Sequence, residues 1–340
     1  MNEKKNIALL YGGRGAEHDV SVCSAKSVLP FIDTSRFVPY PLLVKKDGSI
    51  VICPPDTRED EGVAAELCRG GIRTHAGTVT LSAAFPLLHG DYGEDGVVQG
   101  WLISENIPIV GCGVAGGAVA ADKAFTKLCA ESLGIPTAEW ILSVDGSKTR
   151  GKEVSLRRAE LSFGYPMFVK PAGLGSSFGA SVAENREALS KAYDTAASAG
   201  DGRVIIEEKI SVSAELECGY FAANGKELFT KIGEISSKGR FYSFEEKYSS
   251  DSKFSVSTVS IHEAEYGQVI RSYARSLTEL LGVRHLCRLD FFLSEDGRLL
   301  FNEINTMPGF TSGSLYPRML ESVGLSYAAA INLLLEDACR

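Results

Sequence analysis

Arg288-Leu-Asp290-Phe-Phe-Leu-Ser294-Glu-Asp-Gly297-Arg298-Leu-Leu-Phe-Asn-Glu303-Ile-Asn305 reads as two strands around a tight turn. The Asp-Gly pair between apolar runs is a hairpin signal, because both residues tolerate the positive φ that such turns need. With an even-length loop, odd-numbered positions pair with even-numbered ones, and side chains alternate faces along each strand. That register puts Arg288, Asp290, Glu303 and Asn305 on one face and Leu289, Phe291, Leu293, Leu300 and Ile304 on the other. The apolar face is a core. The polar face offers two carboxylates and an amide beside an arginine, a donor set that suits Mg²⁺ shared with phosphate oxygens. The plain alternative is a solvated face with a cross-strand ion pair.

Upstream, Val169-Lys170-Pro171-Ala-Gly173-Leu-Gly175-Ser176-Ser177-Phe-Gly179 ends a strand on a lysine and continues as a Gly-Ser loop. A point charge beside exposed backbone N–H groups suits a polyphosphate. It is not a Walker A sequence, since no Gly-Lys-Ser/Thr opens a helix. Asp122-Lys123 supplies a second lysine at a helix start. Glu207-Glu208 closes the strand Val204-Ile-Ile, where carboxylates either accept from an adenine amine and ribose hydroxyls or are simple strand-end charges.

The chain opens with strand Asn6–Tyr11, Gly12-Gly13 and a helix over Glu17–Phe31. Further strands are expected at Leu81–Leu88, ending in His89-Gly90, and at Ile107–Val110. Strands alternating with helices indicate a parallel α/β sheet to about residue 115, with functional loops at the strands' carboxyl ends. Residues 53–77 show no period and read as a surface excursion. One helix is expected over Ala118–Leu133, stopped by Gly134-Ile135-Pro136, and another over 263–281. The loops Gly12–His18 and His89–Gly96 are rich in glycine and acid, which suits a backbone that approaches a ligand closely. Gly111-Cys-Gly113-Val-Ala-Gly116 has the outline of a dinucleotide fingerprint. It follows the third strand of its unit rather than the first, and small residues continue to Ala121, so the reading is close helix packing.

The 340 residues suffice for two or three domains. A net charge of −8 argues against nucleic acid or an anionic membrane surface as the main partner. No stretch approaches the roughly 18 apolar residues of a spanning helix, and no signal-peptide pattern is visible. The eight cysteines are scattered without metal-ligand spacing, which is expected of free thiols in a reducing cytoplasm.

Taken in order, GGRGAEHDVS, HGDYGEDGVVQG, the Asp-Lys pair before GIPT, VKPAGLGSSFG, FYSFEEKY and EINTMPGFTSGSLYP resemble the D-alanine–D-alanine ligase family of the ATP-grasp superfamily. The resemblance covers nearly all of the chain outside residues 48–77. It implies an α/β chain (with α+β elements) of ATP-grasp fold with a Rossmann-like parallel-sheet N-terminal domain. The expected domains are residues 1–117 for substrate, 118–209 as the central ATP-grasp unit and 210–340 as the C-terminal unit. It implies ATP-dependent joining of two D-alanines through a D-alanyl phosphate, for peptidoglycan precursors, by a cytoplasmic homodimer. D-alanyl-D-serine and D-alanyl-D-lactate are the alternative products within the family.

By the same resemblance, Lys123 and Lys170 would contact ATP phosphates and Ser177 would bind ATP, with Glu207, Glu208 and Glu215 around adenine and ribose. Asp290, Glu303 and Asn305 would hold Mg²⁺, or Mn²⁺ in its place. Glu17 would bind the first D-alanine's ammonium with His89 nearby, and Arg288 and the Gly309 backbone would meet the tetrahedral oxyanion. Ser314 and Leu315 would line the second substrate's carboxylate site. Tyr242, Lys247 and Tyr248 match a loop that closes over the site, and Ser176 matches the serine that links Glu17 to Tyr248. Two departures stand out. Gly15 replaces a usual serine, and Ser211-Val-Ser-Ala214 carries one extra residue and lacks a usual glycine ahead of Glu215.

Overall fold

A computed structural model describes residues 3–144, 149–175, 178–236 and 255–340. The first sheet contains β1 (Lys5–Gly12), β2 (Phe37–Val44), β3 (Ile50–Ile52), β4 (Val63–Cys68), β5 (Gly71–Thr74), β6 (Gly77–Thr80) and β7 (Ala83–Pro86). Its order is β6-β5-β4-β3-β2-β1-β7. The central pairs β2–β1 and β1–β7 are parallel, whereas β2 through β6 run antiparallel. Residues 53–77 therefore carry two short strands, β4 and β5, and the start of β6, so the segment extends the sheet rather than being only a surface excursion. Their strands are short and expose much of their surface, so Leu67 and Ile72 are nearly the whole inward signal. The expected strand at Ile107–Val110 is reduced to one parallel bridge between Ala84 and Ile109.

Helix α1 (His18–Val28) covers one face of this sheet and α2 (Val97–Ser104) the other. Val28 packs with Ile7, Leu9 and Phe85, and Val98 and Leu102 with Ala8 and Leu10. The single helix expected over Ala118–Leu133 is two, α3 (Val114–Ala121) and α4 (Lys123–Ser132). Asp122 breaks it by taking an extended backbone and capping α4, its Oδ1 accepting from the Ala124 and Phe125 N–H groups. The glycines that serve packing lie within α3 itself. A Cβ on Gly116 would lie 2.7 Å from the Leu281 carbonyl oxygen, and one on Gly117 would lie 2.9 Å from that of Glu94.

The second sheet, in order β10-β9-β11-β8, is built from β8 (Trp140–Ser143), β9 (Met167–Pro171), β10 (Ser181–Ala183) and β11 (Val204–Glu208). Helices α5 (Thr149–Ser162) and α6 (Arg186–Ala199) cover one face, where Leu156, Leu189 and Tyr193 meet Met167 and Val169. Alternation then aims Phe168 and Lys170 out of the opposite face.

The third sheet contains β12 (Val212–Ala223), β13 (Lys226–Phe229), β14 (Gly233–Ser236), β15 (Ser255–Ser257), β16 (Leu286–Ser294) and β17 (Leu299–Asn305). Its path is β15-β14-β12-β16-β17, with β13 also on β12. Ile270, Ala274 and Leu277, at helical spacing on α7 (Glu263–Leu281), bury one face against Leu289, Phe291 and Ile304. Helices α8 (Leu315–Ser322) and α9 (Tyr327–Ala338) return to the first sheet, where Tyr316, Ile331 and Leu335 join its core. No described helix is long and apolar enough to cross a membrane, and all eight cysteines are free.

The quoted hairpin differs instructively from its sequence reading. Leu293 pairs with Leu299, so the loop holds an odd number of residues, and the register shifts between Asp290 and Phe291. That bulge restores the expected pairing at the far end, Asp290 with Glu303 and Arg288 with Asn305. It also turns Leu300 to the other face, where it packs with Ala138 and Ile210, and Phe301 takes the core place beside Phe291.

Candidate active site

The uncovered faces of the second and third sheets enclose, with the first sheet's loops, a cavity of about 1050 Å³. It is lined by Glu17, His89, Lys123, Lys170, Glu207, Glu208, Glu215, Arg288, Asp290, Glu303, Asn305, Gly309, Ser314 and Leu315. Ser176, Ser177, Tyr242, Lys247 and Tyr248 lie outside the described residues.

At one end, α4 and β9 converge. The Lys123 N–H donates to the Ala172 carbonyl, which fixes the start of α4 beside the end of β9. Lys123 Nζ donates to the Leu174 carbonyl at 2.9 Å and lies 3.2 Å from Glu303 Oε2. One turn on, Lys127 Nζ lies 2.8 Å from Glu207 Oε1, while Lys170 Nζ lies 2.9 Å from Glu207 Oε2. Burial pushes the Glu207 carboxyl up, but the two lysines outweigh it and hold it at about 2. Burial also draws Lys170 below the ordinary lysine value, with Glu207 opposing. Two cations around one anion leave a net positive charge facing the cavity. Lys127 was not singled out from sequence; its signal is the i,i+4 spacing from Lys123, which puts both on one helix face. Glu207→Gln strands two buried ammonium groups and is expected to cost about 3–5 kcal/mol, measurable by urea unfolding.

Glu208 points elsewhere. Its Oε1 accepts from the Glu139 N–H at 3.0 Å and from Arg298 Nη1 at 2.9 Å, tying the second sheet to the hairpin turn. The extra residue before Glu215 is absorbed by a register shift between Val212 and Ala214, with Ser213 Oγ donating to the Leu293 carbonyl. Glu215 stays in register with Phe292 and Ile235 and lines the cavity.

Across from the lysines, Arg288 Nε and Nη2 each donate to an Asp290 oxygen at 2.7 Å. Asn305 Nδ2 donates to Asp290 Oδ2 at 3.0 Å, and Glu217 Oε2 lies 3.2 Å from Arg288 Nε. Burial alone would lower the Arg288 pKa; Asp290 and Glu217 reverse this and keep it charged. Glu217, buried on β12, was not anticipated from sequence. Among the described residues no three His, Cys, Asp or Glu side chains form a self-sufficient metal site. Asp290, Glu303 and Asn305 supply two carboxylates and an amide, hard oxygens that fit Mg²⁺ when phosphate and water complete its sphere.

At the first sheet's end of the cavity, Glu17 stands just ahead of α1 against Gly90, where φ is +66° and an added Cβ would lie 2.2 Å from Glu17 Oε2. The backbone thus requires glycine at position 90, and any side chain there would push the Glu17 carboxylate out of its place. A Cβ on Gly15 would meet only Asp91, at 3.6 Å or more, so the site tolerates either glycine or the usual serine there. His89 is buried. Its Nδ1 faces the Met307 carbonyl at 3.1 Å and must carry the proton; Nε2 then accepts from Ser24 Oγ at 2.9 Å. Burial pushes its pKa down, consistent with a neutral ring. Gly309 lies beside Ser314, whose Oγ contacts Thr311 Oγ1 at 2.8 Å, and Leu315 opens α8.

Burial raises the Glu94 carboxyl to about 7, Glu17 adding to the rise and the Gly90 and Met307 N–H groups opposing it. A folded-state value above the ordinary 4.5 means that stability present below about pH 4.5 is lost as pH rises through about 7. The thermal midpoint of the protein minus that of Glu94→Gln should therefore fall between pH 5 and pH 8. A pH-independent difference would contradict this ionisation.

Lysines from one sheet's side, a carboxylate–arginine face on the other and a third α/β unit closing the end define an ATP-grasp enzyme, an ATP-dependent ligase. Residues 6–112 match the family model for the D-ala D-ala ligase N-terminus and residues 129–336 that for the D-ala D-ala ligase C-terminus. The chain belongs to the D-alanine–D-alanine ligase family. It is 39% identical to the D-alanine–D-alanine ligase of Deinococcus radiodurans over 98% of both chains. It is 37% identical to that of Enterococcus hirae, over 97% of this chain and 95% of the other. Among solved structures it resembles D-alanyl-alanine synthetase A from Vibrio cholerae (TM-score 0.88, 28% identity, 99% of both chains). It equally resembles VanG D-Ala:D-Ser ligase from Enterococcus faecalis (TM-score 0.88, 27% identity, 99% of this chain and all of that one).

Proposed function

We propose that this chain joins two D-alanines into D-alanyl-D-alanine through D-alanyl phosphate, with ATP converted to ADP and phosphate. The observation that carries it is one cavity with a lysine cluster at one end, Glu17 at the other and Arg288 between the carboxylates. A free carboxylate acylates poorly because its leaving group would be oxide; phosphorylation makes that leaving group phosphate. Lys170 and Lys123 neutralise the polyphosphate during transfer, and Glu207 holds Lys170 and Lys127 in place rather than facing the nucleoside. Glu215, on the cavity wall, is assigned to the nucleoside, and Glu208, also on that wall, would reach it only by giving up its bonds to Arg298 and the Glu139 N–H. Asp290, Glu303 and Asn305 would hold Mg²⁺, which supplies Lewis-acid charge compensation.

Glu17 binds the first ammonium. The second substrate's neutral amine attacks the acyl carbon, the carbonyl electrons move to oxygen, and Arg288 with the Gly309 N–H meets that charge. Collapse of the adduct expels phosphate, which takes up the proton that the attacking amine loses. The reading places the enzyme in the cytoplasm, where ATP is available, and as a homodimer. The exposed Val97 and Trp101, one turn apart on α2, with Val114 against Gly100, form an apolar surface that pairing would cover.

The test is mass analysis of products from ATP, Mg²⁺ and D-amino acids. Ser314 offers a hydroxyl for a carboxylate and Leu315 an apolar wall for a methyl group. An apolar wall rejects an added hydroxyl only weakly, by about 10–100-fold. D-alanyl-D-alanine should dominate over D-alanyl-D-serine in an equal mixture near pH 7, with D-lactate hardly used. Mixed product equal to or above D-alanyl-D-alanine would reverse the subsite assignment and leave the ligase class standing.

A further inference from the structure

Between the end of β17 and Gly309 the chain runs Thr306-Met307-Pro308, and its fixed points come from the first sheet. The Met307 N–H donates to Glu94 Oε1 at 2.9 Å, and the Met307 carbonyl receives His89 Nδ1 at 3.1 Å. The other Glu94 oxygen accepts from the Gly90 N–H at 3.0 Å. Pro308 has no N–H, so the Met307–Pro308 peptide offers only its carbonyl for anchoring. One carboxylate therefore bridges the loop that cradles Glu17 and the loop that carries Gly309.

We infer that Glu94 is a positioning residue for the acyl-transfer half of the reaction, clamping Gly90 to Met307 so that the Gly309 N–H is held where the oxyanion forms. This rests on the proposed ligase reading. The clamp works because a carboxylate has acceptors at both ends, whereas an amide has an acceptor at one and a donor at the other. Glu94→Gln thus turns an NH₂ group toward one of the two N–H groups and breaks one arm. Glu94→Asp keeps the carboxyl group but shortens the reach by one methylene. Neither change touches the lysine cluster, so nucleotide binding is not expected to follow.

The clamp is a geometric claim, and its reach can be read in kinetics. A donor displaced from a developing oxyanion lowers turnover by up to about 10²–10³-fold. Both variants should lose at least about tenfold in kcat for D-alanine-dependent ADP release. ATP affinity, measured by calorimetry without D-alanine, should stay within about twofold. A merely structural role would instead weaken ATP binding and turnover together. The unaltered protein is assayed in parallel. If it makes no dipeptide, the ligase reading fails. If it makes dipeptide and either folded variant retains parental kcat, or loses ATP affinity in step with kcat, the positioning role is overturned. Should Glu94→Gln not fold, Glu94→Asp decides alone.

Discussion

Lys170→Met is expected to fold and to lose roughly 10²–10³-fold in turnover, the range for removing one charge-stabilising group from a desolvated site. The ammonium sits at the end of β9 with its side chain only 8% exposed. Methionine has similar volume and length, so the cavity wall is preserved. Glu207 keeps Lys127 at 2.8 Å, so no buried carboxylate is stranded by the change. In a poorly solvated site a unit charge acts far more strongly than in water. The polyphosphate's charge is redistributed most at the transition state, so the loss should fall mainly on kcat. Steady-state ADP release at saturating substrates measures this, with thermal unfolding as the control. A folded variant within threefold of the parent kcat would remove Lys170 from the phosphate site.

The same residues explain what was legible in the sequence. Faces of strands were readable because alternation is rigid; Arg288, Asp290, Glu303 and Asn305 do meet. The reason given for their meeting was incomplete, since two deviations from regularity, the odd loop and the bulge at Asn302, cancel. Neither has a strong residue signature there, so loop length alone could not locate the register, and Leu300 went to the wrong face. Asp122 illustrates the converse. It was visible as half of a motif, but in a run of alanines and good helix formers its capping role was masked, so two helices read as one. Lys127 and Glu217 were hidden because lone charged residues in sequence look solvated, and only tertiary pairing buries them. Glu207 was visible as a strand-end acid, yet its partners come from α4 and β9, which sequence distance conceals. Residues 53–77 failed for a different reason: short strands with few inward side chains have almost no hydrophobic period to detect.

Glu303→Gln is expected to fold and to lose most of its turnover, because one carboxylate serves two roles. The side chain is 21% exposed on a polar face, so the isosteric amide should leave stability within about 1 kcal/mol. Turnover should fall by about 10²-fold or more, since several kcal/mol of charge compensation by a metal corresponds to that range. Glu303 also lies 3.2 Å from Lys123 Nζ. Losing that ion pair could by itself displace the lysine and reduce turnover without any metal being involved. The two causes respond differently to Mg²⁺. If the carboxylate is a metal ligand, the variant's activity should half-saturate at a concentration at least about tenfold higher, and excess Mg²⁺ should recover part of the loss. If Glu303 only holds Lys123, the Mg²⁺ dependence stays at the parental midpoint and no excess restores activity. A folded Glu303→Gln protein with near-parental turnover at low Mg²⁺ would exclude both roles, and with them the reading of this hairpin face as the phosphate-transfer site.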